Sequence, residues 1–537
     1  MDNEFEPVRT KHDHYIFSSK NLPQSRIHFL ILGLLFLVTF WLFGYDGITF
    51  SDEVTYLQLG QRLWDNNAVV SDYHFSSRWG AFLFSGFFTH LLGYSDRYAG
   101  LATLGFYLAT LIVLWKVTPA HLRRWSVLFF VGHVYLLHFL TKVYPDGFLI
   151  LWVVLVPAAA VYREKYPVLA ASAIVTALFI GFCTKETMVF LFPLPLILFW
   201  NDFKRKRSLS FYPIFLGLSL LVAVLYLSFY QWQFGDWLYR FKSVNEGHYI
   251  SEYTYHDKGL GSILKRLTYL PLLTFIDRTY WLWLVMAVPG IYYGIKNGDK
   301  IGLEYGFSTV ILMTGFWFMS STLEFYNPLY LNPRHLIILI APLSVNIAWG
   351  ARYWLNSLRW KRALATLLVL GAIYSLVSGE TKIGAFYLLF AAILFIKDEK
   401  IQYSAMVLSL VLPVIFSVYY QHQQKNYPHF LQAFQTEVDR ATDASPLLTH
   451  EFVVHSKDVL LHQPQSGAPV VSILSLDSLQ LNPPESLTLL VYQYYRHAYP
   501  AEQEYLDQAL EWLHAKYKLD SEKEDPWLTI ERYRRKP

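Results

Sequence analysis

The stretch that decides the fold is IHFLILGLLFLVTFWLFGYDGITFSDEVTY, which runs from Ile27 to Tyr56. Its first part, Ile27 to Leu42, contains no Asp, Glu, Lys or Arg and is long enough to cross a bilayer. The acidic pair Asp52 and Glu53 follows a few residues later. Charged side chains at the end of a membrane helix cost free energy, and packing alone does not explain their presence there. The stretch therefore predicts a membrane protein whose chemistry takes place at the end of its first span.

The composition extends this prediction to the whole chain. Hydrophobic residues occupy 54% of 537 positions and charged residues only 16%, far from the average of soluble proteins. Apolar runs recur from Ile27 to Tyr420, which predicts a polytopic membrane protein whose first span is retained and is not a cleaved signal peptide. The lone Cys183 excludes a disulfide within the chain and a thiolate metal cluster. A net charge of +4 is too small to indicate a nucleic-acid partner.

Basic residues predict the orientation of the spans, because positive charges favour the cytoplasmic side. The N-terminal tail is basic, and compact basic clusters follow between the apolar runs. They are Arg9, Lys11, Lys20 and Arg26, Lys116 with Arg123 and Arg124, Arg163 with Lys165, Lys204 to Arg207, Lys296 with Lys300, Arg352 with Arg359 to Arg362, and Lys397 with Lys400. All of them fall inside if the short run Gly80 to Gly93 is a juxtamembrane or re-entrant helix and does not span.

The resulting fold class is an all-α polytopic membrane protein with about thirteen transmembrane helices and a small C-terminal α/β domain outside the membrane. We expect a transmembrane module at 1–420, with a first external loop at 45–97 and a long one at 231–278, and a soluble domain at 421–537. The spans are predicted at 27–44, 98–115, 125–142, 147–162, 167–184, 187–200, 211–230, 279–295, 302–320, 335–350, 363–379, 383–396 and 402–420.

This topology predicts that polar residues from distant parts of the chain share the outer face. They are Asp52, Glu53, Asp72, His74 and Arg78 in the first loop, Asp146 and Lys185 in short connections, Asp236, Arg240, His248, Glu252, His256 and Asp257 in the long loop, and Glu324, Tyr326, Tyr330, Arg334 and His335 near the last of the outer loops. A charge at a helix end is commonly a solvated anchor. Asp146 and Lys185 differ, because helix ends pack together in short connections and an unpaired buried charge is costly. His90 and Cys183 are predicted core residues.

The residues resemble the signature of the GT-C glycosyltransferases, in the bacterial branch that contains lipid A aminoarabinose transferases, Rgt-type transferases and protein O-mannosyltransferase-like enzymes. The resemblance covers nearly the whole chain, in the order of its motifs. They are Asp52-Glu53-x-x-Tyr56, the aromatic stretch Tyr73 to Arg78, Pro145-Asp146, Thr184-Lys185 with Phe190 and Pro193, and Asn332-Pro333-Arg334-His335. Two positions depart from the family: Arg78-Trp79 stands where many members have Lys-Pro, and Lys185-Glu186 where they have Lys-Gly. Both departures concern the specificity for aminoarabinose and leave the general chemistry of the family intact.

The resemblance implies a polyprenyl-phosphate sugar as donor, undecaprenyl phosphate in a bacterium, and transfer to an acceptor hydroxyl on the outer face of the inner membrane. We predict Asp52 as the base, with Glu53 supporting or replacing it, and Asp146 orienting a sugar hydroxyl or a phosphate-binding cation. The cations predicted to hold the donor phosphate are Arg78, Lys185 and Arg334. Secondary substrate contacts are predicted at Tyr56, His74, Tyr326 and His335.

One-step displacement inverts the anomeric carbon, and a single phosphate needs no obligatory metal. The external histidines have no spacing that resembles a ligand set. The expected partners are the donor, membrane lipids and a glycolipid or other envelope acceptor, with protein hydroxyls still open. Two other functions also remain open. A polysaccharide polymerase or ligase would release a diphosphate and rely on arginine-rich loops, and a transporter would carry charges near the bilayer midplane.

Overall fold

The computed structural model describes residues 27–67, 74–246, 254–322 and 324–537. Helices dominate up to Arg440, and their bounds follow in chain order. They are α1 (Ile27–Phe43), α2 (Asp52–Trp64), α3 (Trp79–Leu92), α4 (Asp96–Val117), α5 (Arg123–Val131), α6 (Val134–Leu140), α7 (Pro145–Ala160), α8 (Pro167–Thr184), α9 (Leu194–Lys204), α10 (Phe211–Phe234), α11 (Tyr239–Glu246), α12 (Leu260–Leu267), α13 (Leu270–Asp277), α14 (Tyr280–Asn297), α15 (Lys300–Phe318), α16 (Pro333–Leu336), α17 (Ile340–Trp354), α18 (Leu358–Val377), α19 (Thr381–Ile393), α20 (Glu399–Lys425) and α21 (Tyr427–Arg440).

Eight helical segments of the described residues are long and apolar enough to cross a membrane, or nine if α6 and α7 together form one bent span. The eight are Asp96–Val117, Pro167–Thr184, Glu186–Lys204, Phe211–Phe234, Lys300–Phe318, Pro333–Trp354, Leu358–Val377 and Glu399–Arg440. Three shorter apolar helices accompany them, namely α1, α3 and α19. The predicted polytopic all-α architecture is confirmed, whereas the number thirteen stays a prediction.

The predicted span 125–142 is wrong as a single helix. The chain breaks at Gly132 and again between Leu140 and Pro145, so that α6 and α7 meet at an angle of 115°. The second break has a local cause, because proline at the first position of α7 excludes helical backbone for the residue before it. Tyr144 is accordingly extended, with φ −128° and ψ 146°. The break brings Asp146 to the start of α7.

Helix α3 covers nearly all of the short apolar run Gly80 to Gly93, which was predicted not to span the membrane. It has 14 residues and packs against α2 and α4. A Cβ atom on Gly86 would lie 2.3 Å from the carbonyl oxygen of Gly60, so glycine is required where α2 and α3 touch. Whether α3 lies in the interface or re-enters the membrane stays a prediction. Either way, it fixes α2 close to the membrane bundle.

The C-terminal part contains a five-stranded sheet in the order β2-β1-β3-β5-β4. Its strands are β1 (Leu447–Thr449), β2 (Val470–Ser472), β3 (Ser486–Tyr492), β4 (Tyr517–Glu524) and β5 (Leu528–Arg535). Its helices are α22 (Glu451–His455), α23 (Lys457–Leu460), α24 (Leu476–Leu481), α25 (Tyr495–Ala498) and α26 (Gln503–Lys516). Strand β1 is parallel to β2 and β3, and β5 is antiparallel to β3 and β4. The predicted small α/β unit is confirmed.

Two hydrophobic cores hold the molecule together. One lies within the membrane bundle, and the other joins the C-terminal sheet and helices to α2, α3 and the segment between α1 and α2. The predicted domain boundary at 421 falls inside α20, which continues to Lys425. The C-terminal part therefore shares its core with the loop that follows α1.

Candidate active site

A chain of ion pairs connects four of the sequence motifs. Asp52 Oδ2 lies 3.1 Å from Arg334 Nη2, and Arg334 Nε lies 3.6 Å from Asp146 Oδ2. Lys185 Nζ contacts both Asp146 oxygens, at 2.7 and 2.8 Å. Residues from α2, α7, α16 and the end of α8 thus meet at one point.

Local backbone structure explains how Asp146 and Lys185 reach this point. Asp146 lies in the first turn of α7, where the helix dipole favours a carboxylate. Lys185 ends α8 in extended backbone, with φ −160° and ψ 142°. Both side chains are buried, so each needs the other's charge, because an unpaired buried charge is strongly destabilising.

A second group of charges lies beside the first. Glu186 accepts hydrogen bonds from Arg78, whose Nη2 is 2.8 Å away, and from Arg240. Arg78 Nη1 also donates to the Tyr56 hydroxyl at 3.0 Å, and Arg240 donates to the His74 carbonyl at 3.1 Å. The first loop, the start of α11 and the segment after α8 are joined by this group.

Electrostatic interactions connect the ion-pair chain with the group of charges around Glu186. Burial lowers the pKa of Lys185 to about 8; Asp146 opposes this shift, whereas the Arg334 and Arg78 guanidinium groups add to it. Burial also raises the pKa of Tyr56, with Arg78, Asp52 and Arg334 among the charges that act on it. These cations are therefore close enough to act together on a bound anion.

Tyr144 forms one wall of the site. The guanidinium carbon of Arg334 lies 4.4 Å from the centre of its ring, within the range of a cation–π contact. The Tyr144 hydroxyl shares a 2.5 Å hydrogen bond with Thr49 Oγ1. Burial raises the pKa of Tyr144 to about 12, so the hydroxyl stays protonated at neutral pH.

Glu53 lies in a different environment from its neighbour Asp52. Its Oε2 accepts hydrogen bonds from the backbone nitrogen and the hydroxyl of Thr49, at 2.9 and 3.0 Å, and its Oε1 accepts one from the nitrogen of Val143 at 2.8 Å. The side chain is buried. Both oxygens are therefore engaged in holding α2 against the α6–α7 break, and the catalytic role of Glu53 stays a prediction.

The residues predicted as secondary substrate contacts lie partly in the site and partly away from it. His335 lies next to Arg334, and its Nδ1 is 2.8 Å from the carbonyl of Tyr330. His74 is buried in a short 3₁₀ helix, His74–Ser77, and contributes its carbonyl to Arg240. Tyr326 is apart from the ion pairs, with Arg266 and Tyr255 as its electrostatic neighbours. The residues Asp72, Tyr73, His248 and Glu252, named in the sequence analysis, lie outside the described residues.

Two charged residues of this site were not predicted as site residues, namely Arg240 and Glu186, and neither was the aromatic residue Tyr144. Arg240 was one of several charges in a long loop, and nothing in the sequence distinguishes the one that folds back. Glu186 directly follows Lys185, and its departure from the family's glycine was the signal that could have identified it. Over the described ranges, no group of three or more His, Cys, Asp or Glu side chains could hold a metal ion.

An apolar groove of about 560 Å³ lies between α8, α10 and α11. Its walls come from α8, α10, α11 and the 3₁₀ helix Glu186–Leu191, and they include Phe182, Tyr226 and Phe241. Helix α11 contributes Phe241 to this groove and the neighbouring Arg240 to the charged group, although Arg240 itself does not line the groove.

The fold is similar to that of ArnT from Cupriavidus metallidurans. Its crystal structure bound to undecaprenyl phosphate matches this chain with a TM-score of 0.57 and 13% identity, over 94% of this chain and 98% of that one. Its apo state matches with a TM-score of 0.57 and 12% identity over the same shares. The chain shares its overall fold with this ArnT. The predicted resemblance is therefore confirmed at the level of the fold, and no protein-family model or curated protein sequence matches the chain.

Proposed function

We propose that the protein is an integral-membrane glycosyltransferase that moves a sugar from a polyprenyl-phosphate donor to an acceptor hydroxyl on the outer face of a bacterial inner membrane. The observation that carries the proposal is the ion-pair chain from Asp52 through Arg334 and Asp146 to Lys185. The ArnT neighbour supports it, since that protein was crystallised with undecaprenyl phosphate.

The charge of the site suits one phosphate. Among the residues that form ion pairs, three carboxylates face four cations, which leaves one positive charge; Glu53 is outside this count, because its oxygens are bonded to Thr49 and Val143. The carboxylates are Asp52, Asp146 and Glu186, and the cations are Arg78, Lys185, Arg240 and Arg334. A sugar phosphodiester carries one negative charge and would neutralise the site. Guanidinium and ammonium groups stabilise a departing phosphate best in such a water-poor place. A departing diphosphate carries more charge, which favours the transferase over a polymerase or ligase.

Asp52 is the carboxylate best suited to act as base. Its side chain is 35% exposed, against 1% for Asp146 and 24% for Glu186. An incoming phosphate competes for Arg334, and the released Asp52 oxygen can then accept a proton. The acceptor oxygen forms a bond to C1 of the sugar, its proton passes to Asp52, and the bond from C1 to the phosphate oxygen breaks. Attack from the side opposite the phosphate inverts C1.

Asp146 acts through its neighbours. Both of its oxygens contact Lys185, and one faces Arg334, so it holds two of the phosphate-binding cations at a fixed distance. Of the two roles expected from the sequence, this geometry supports the orientation of cations over the orientation of a sugar hydroxyl. Asp146 is thus a positioning residue in the proposed reaction.

The polyprenyl tail is the occupant that we propose for the apolar groove. Helix α11 lines the groove with Phe241 and carries Arg240, which contacts Glu186, so a tail in the groove would lie along the helix that bears one of the cations of the site. Isoprenoid chains gain affinity from buried apolar area. The acceptor that we favour is a glycolipid such as lipopolysaccharide, because both substrates then reach the site from the membrane.

Reconstitution tests the proposed reaction. The purified protein in liposomes is supplied with polyprenyl-phosphate sugars and envelope glycolipid, and the lipid products are analysed by mass spectrometry. We expect sugar-bearing acceptor together with free polyprenyl phosphate in equal amounts. Release of polyprenyl diphosphate would favour the polymerase or ligase. Envelope glycans from cells with and without the gene identify the sugar.

A further inference from the structure

The segment that leads into Asp52 is enclosed by the C-terminal domain. This segment, Tyr45 to Phe50, connects α1 to α2 and is largely buried, with Phe50 only 2% exposed. Five aromatic rings surround the ring of Phe50, at centroid distances of 5.2 to 6.4 Å. They are Tyr427, Phe430, Phe452, Tyr492 and Tyr494. All five follow α20 in the chain, so the C-terminal part encloses the segment that leads to the proposed base, Asp52.

The backbone at Phe50 is strained. Its φ is +56°, a left-handed conformation that a bulky residue adopts only when its surroundings impose it. The Tyr499 hydroxyl lies 3.1 Å from the carbonyl oxygen of Thr49 and 2.8 Å from that of Phe50, and donates its hydrogen to this pair. The Tyr499 ring stacks on Phe452 at 4.5 Å. A single hydroxyl of the C-terminal domain therefore holds both carbonyls of the turn.

A buried ionic contact holds the same segment from the other side. Lys142 and Lys425 both contact Asp46, at 2.5 and 3.1 Å, and Lys425 also lies 3.1 Å from the carbonyl of Ile48. Burial would raise the pKa of Asp46, but the two ammonium groups lower it further than burial raises it. Tyr492 donates to the carbonyl of Lys425 at 2.6 Å. The segment is thus fixed to the α6–α7 break and to the sheet.

Asp52 follows the strained turn by two residues, in the first turn of α2. Ser51 precedes it as the N-cap, but its side chain makes no capping hydrogen bond. The direction in which α2 starts therefore depends on the turn itself, together with the contacts of Glu53 to Thr49 and Val143. Catalytic groups must be held to within about 0.5 Å of their productive position. A contact that fixes this turn also fixes the position of the Asp52 carboxylate relative to Arg334.

We propose that Tyr499 is a positioning residue for Asp52, so that the C-terminal domain takes part in catalysis by holding the turn at Thr49 and Phe50. This inference rests on the proposed function. Tyr499 touches neither substrate. It acts by keeping the base at the distance at which it can accept the acceptor's proton.

The variant Tyr499→Phe tests the inference because it keeps the ring and removes only the hydroxyl. We expect kcat to fall about tenfold, since displacement by about 1 Å costs up to about a hundredfold, while the donor KM stays unchanged. Tyr517→Phe is the matched control: its hydroxyl donates to the Pro484 carbonyl at 3.0 Å in the same domain, away from the loop. The two variants should unfold at similar temperatures. An unchanged kcat in Tyr499→Phe, an equal loss in Tyr517→Phe, or a change in KM alone would overturn the inference.

A double-mutant cycle separates positioning from general destabilisation. In an Asp52→Asn background, Tyr499→Phe should lower kcat no further, because both changes act on the same proton transfer. Losses that multiply would show that Tyr499 acts elsewhere and would overturn the inference. Normal transfer by Asp52→Asn alone would instead overturn the proposed function. An inactive Asp52→Asn with a fully active Tyr499→Phe would overturn only the role of Tyr499.

Discussion

Arg334 lies between Asp52 and Asp146, with its Nη2 3.1 Å from the first carboxylate and its Nε 3.6 Å from the second. One guanidinium therefore joins the acidic residue of the first external loop to the acidic residue of α7. In the resting protein it neutralises Asp52. When a bound anion replaces Asp52 as the partner of Arg334, the Asp52 carboxylate is free to accept a proton. The proposed mechanism depends on this exchange of partners.

The first prediction concerns Lys185, which contacts Asp146 and faces the other cations of the site. Lys185→Ala should weaken donor binding and lower kcat/KM by at least about a hundredfold, because removing one partner leaves a buried charge unpaired and removes a phosphate contact. Lys185→Arg keeps the charge and should retain more activity. Binding of polyprenyl phosphate and steady-state kinetics provide the measurement. Unaltered kinetics in Lys185→Ala would remove this residue from the site.

The pH dependence follows from the same residue, which lies between the segments Pro167–Thr184 and Glu186–Lys204. Burial lowers its pKa to about 8, and only the protonated form attracts the donor phosphate. Protonated Lys185 is abundant below this pH and is lost as the pH rises through it. kcat/KM for the donor should therefore decline above about pH 8, and Lys185→Arg should shift the decline to higher pH. A profile that is identical in the two proteins would assign the decline to another group.

Substitution of Glu53 should lower the stability of the fold, whereas substitution of Asp52 should mainly lower the rate of transfer. Glu53→Gln replaces one acceptor by a donor, so either Thr49 or Val143 loses its buried partner, at a cost of about 1–3 kcal/mol. We expect a lower unfolding temperature and a smaller loss of transfer than in Asp52→Asn. Thermal unfolding in detergent and transfer assays on both variants decide this. A normal unfolding temperature with abolished transfer in Glu53→Gln would exchange the two roles.

The orientation of the chain is open to cysteine labelling. In a Cys183→Ser background, a membrane-impermeant reagent applied from outside should label Tyr505→Cys, an exposed position of α26. It should not label Ala120→Cys or Arg205→Cys, which the positive charges around them assign to the cytoplasm. Labelling at 120 or 205 from outside would invert the topology. It would then separate the proposed site from the side on which lipid-linked donors are used.

Several features of this site could be predicted from the sequence because they depend on topology. Asp52, Asp146 and Lys185 follow apolar runs, and Arg78 and Arg334 precede such runs. The basic flanks of the spans predict that all five share one side of the membrane, and the structure brings them together. The connection between α6 and α7 was predicted, because the spans 125–142 and 147–162 leave Asp146 between them. The break at Gly132, which divides the predicted span 125–142 into α5 and α6, could not be predicted from hydropathy, since the run is apolar on both sides of it.

Other features depend on directions that spacing does not reveal. Asp52 and Glu53 are adjacent, but successive residues on a helix point about 100° apart, so one faces the cations and the other the backbone of Val143. Arg240 lies in a long loop whose return to Glu186 is a matter of tertiary packing. The enclosure of Phe50 joins parts of the chain that are far apart in sequence. No local pattern carries that information.

The most direct test of the central claim is the transfer rate of Asp52→Asn under single-turnover conditions with bound donor. Asparagine keeps the shape of the side chain but cannot take the acceptor's proton, so the chemical step should slow by at least about a hundredfold. Donor affinity should stay near normal, and Asp236→Asn, at an exposed ion pair with Lys242, should transfer normally. Near-normal transfer by Asp52→Asn would contradict the assignment of the base and, with it, the proposed glycosyltransferase mechanism.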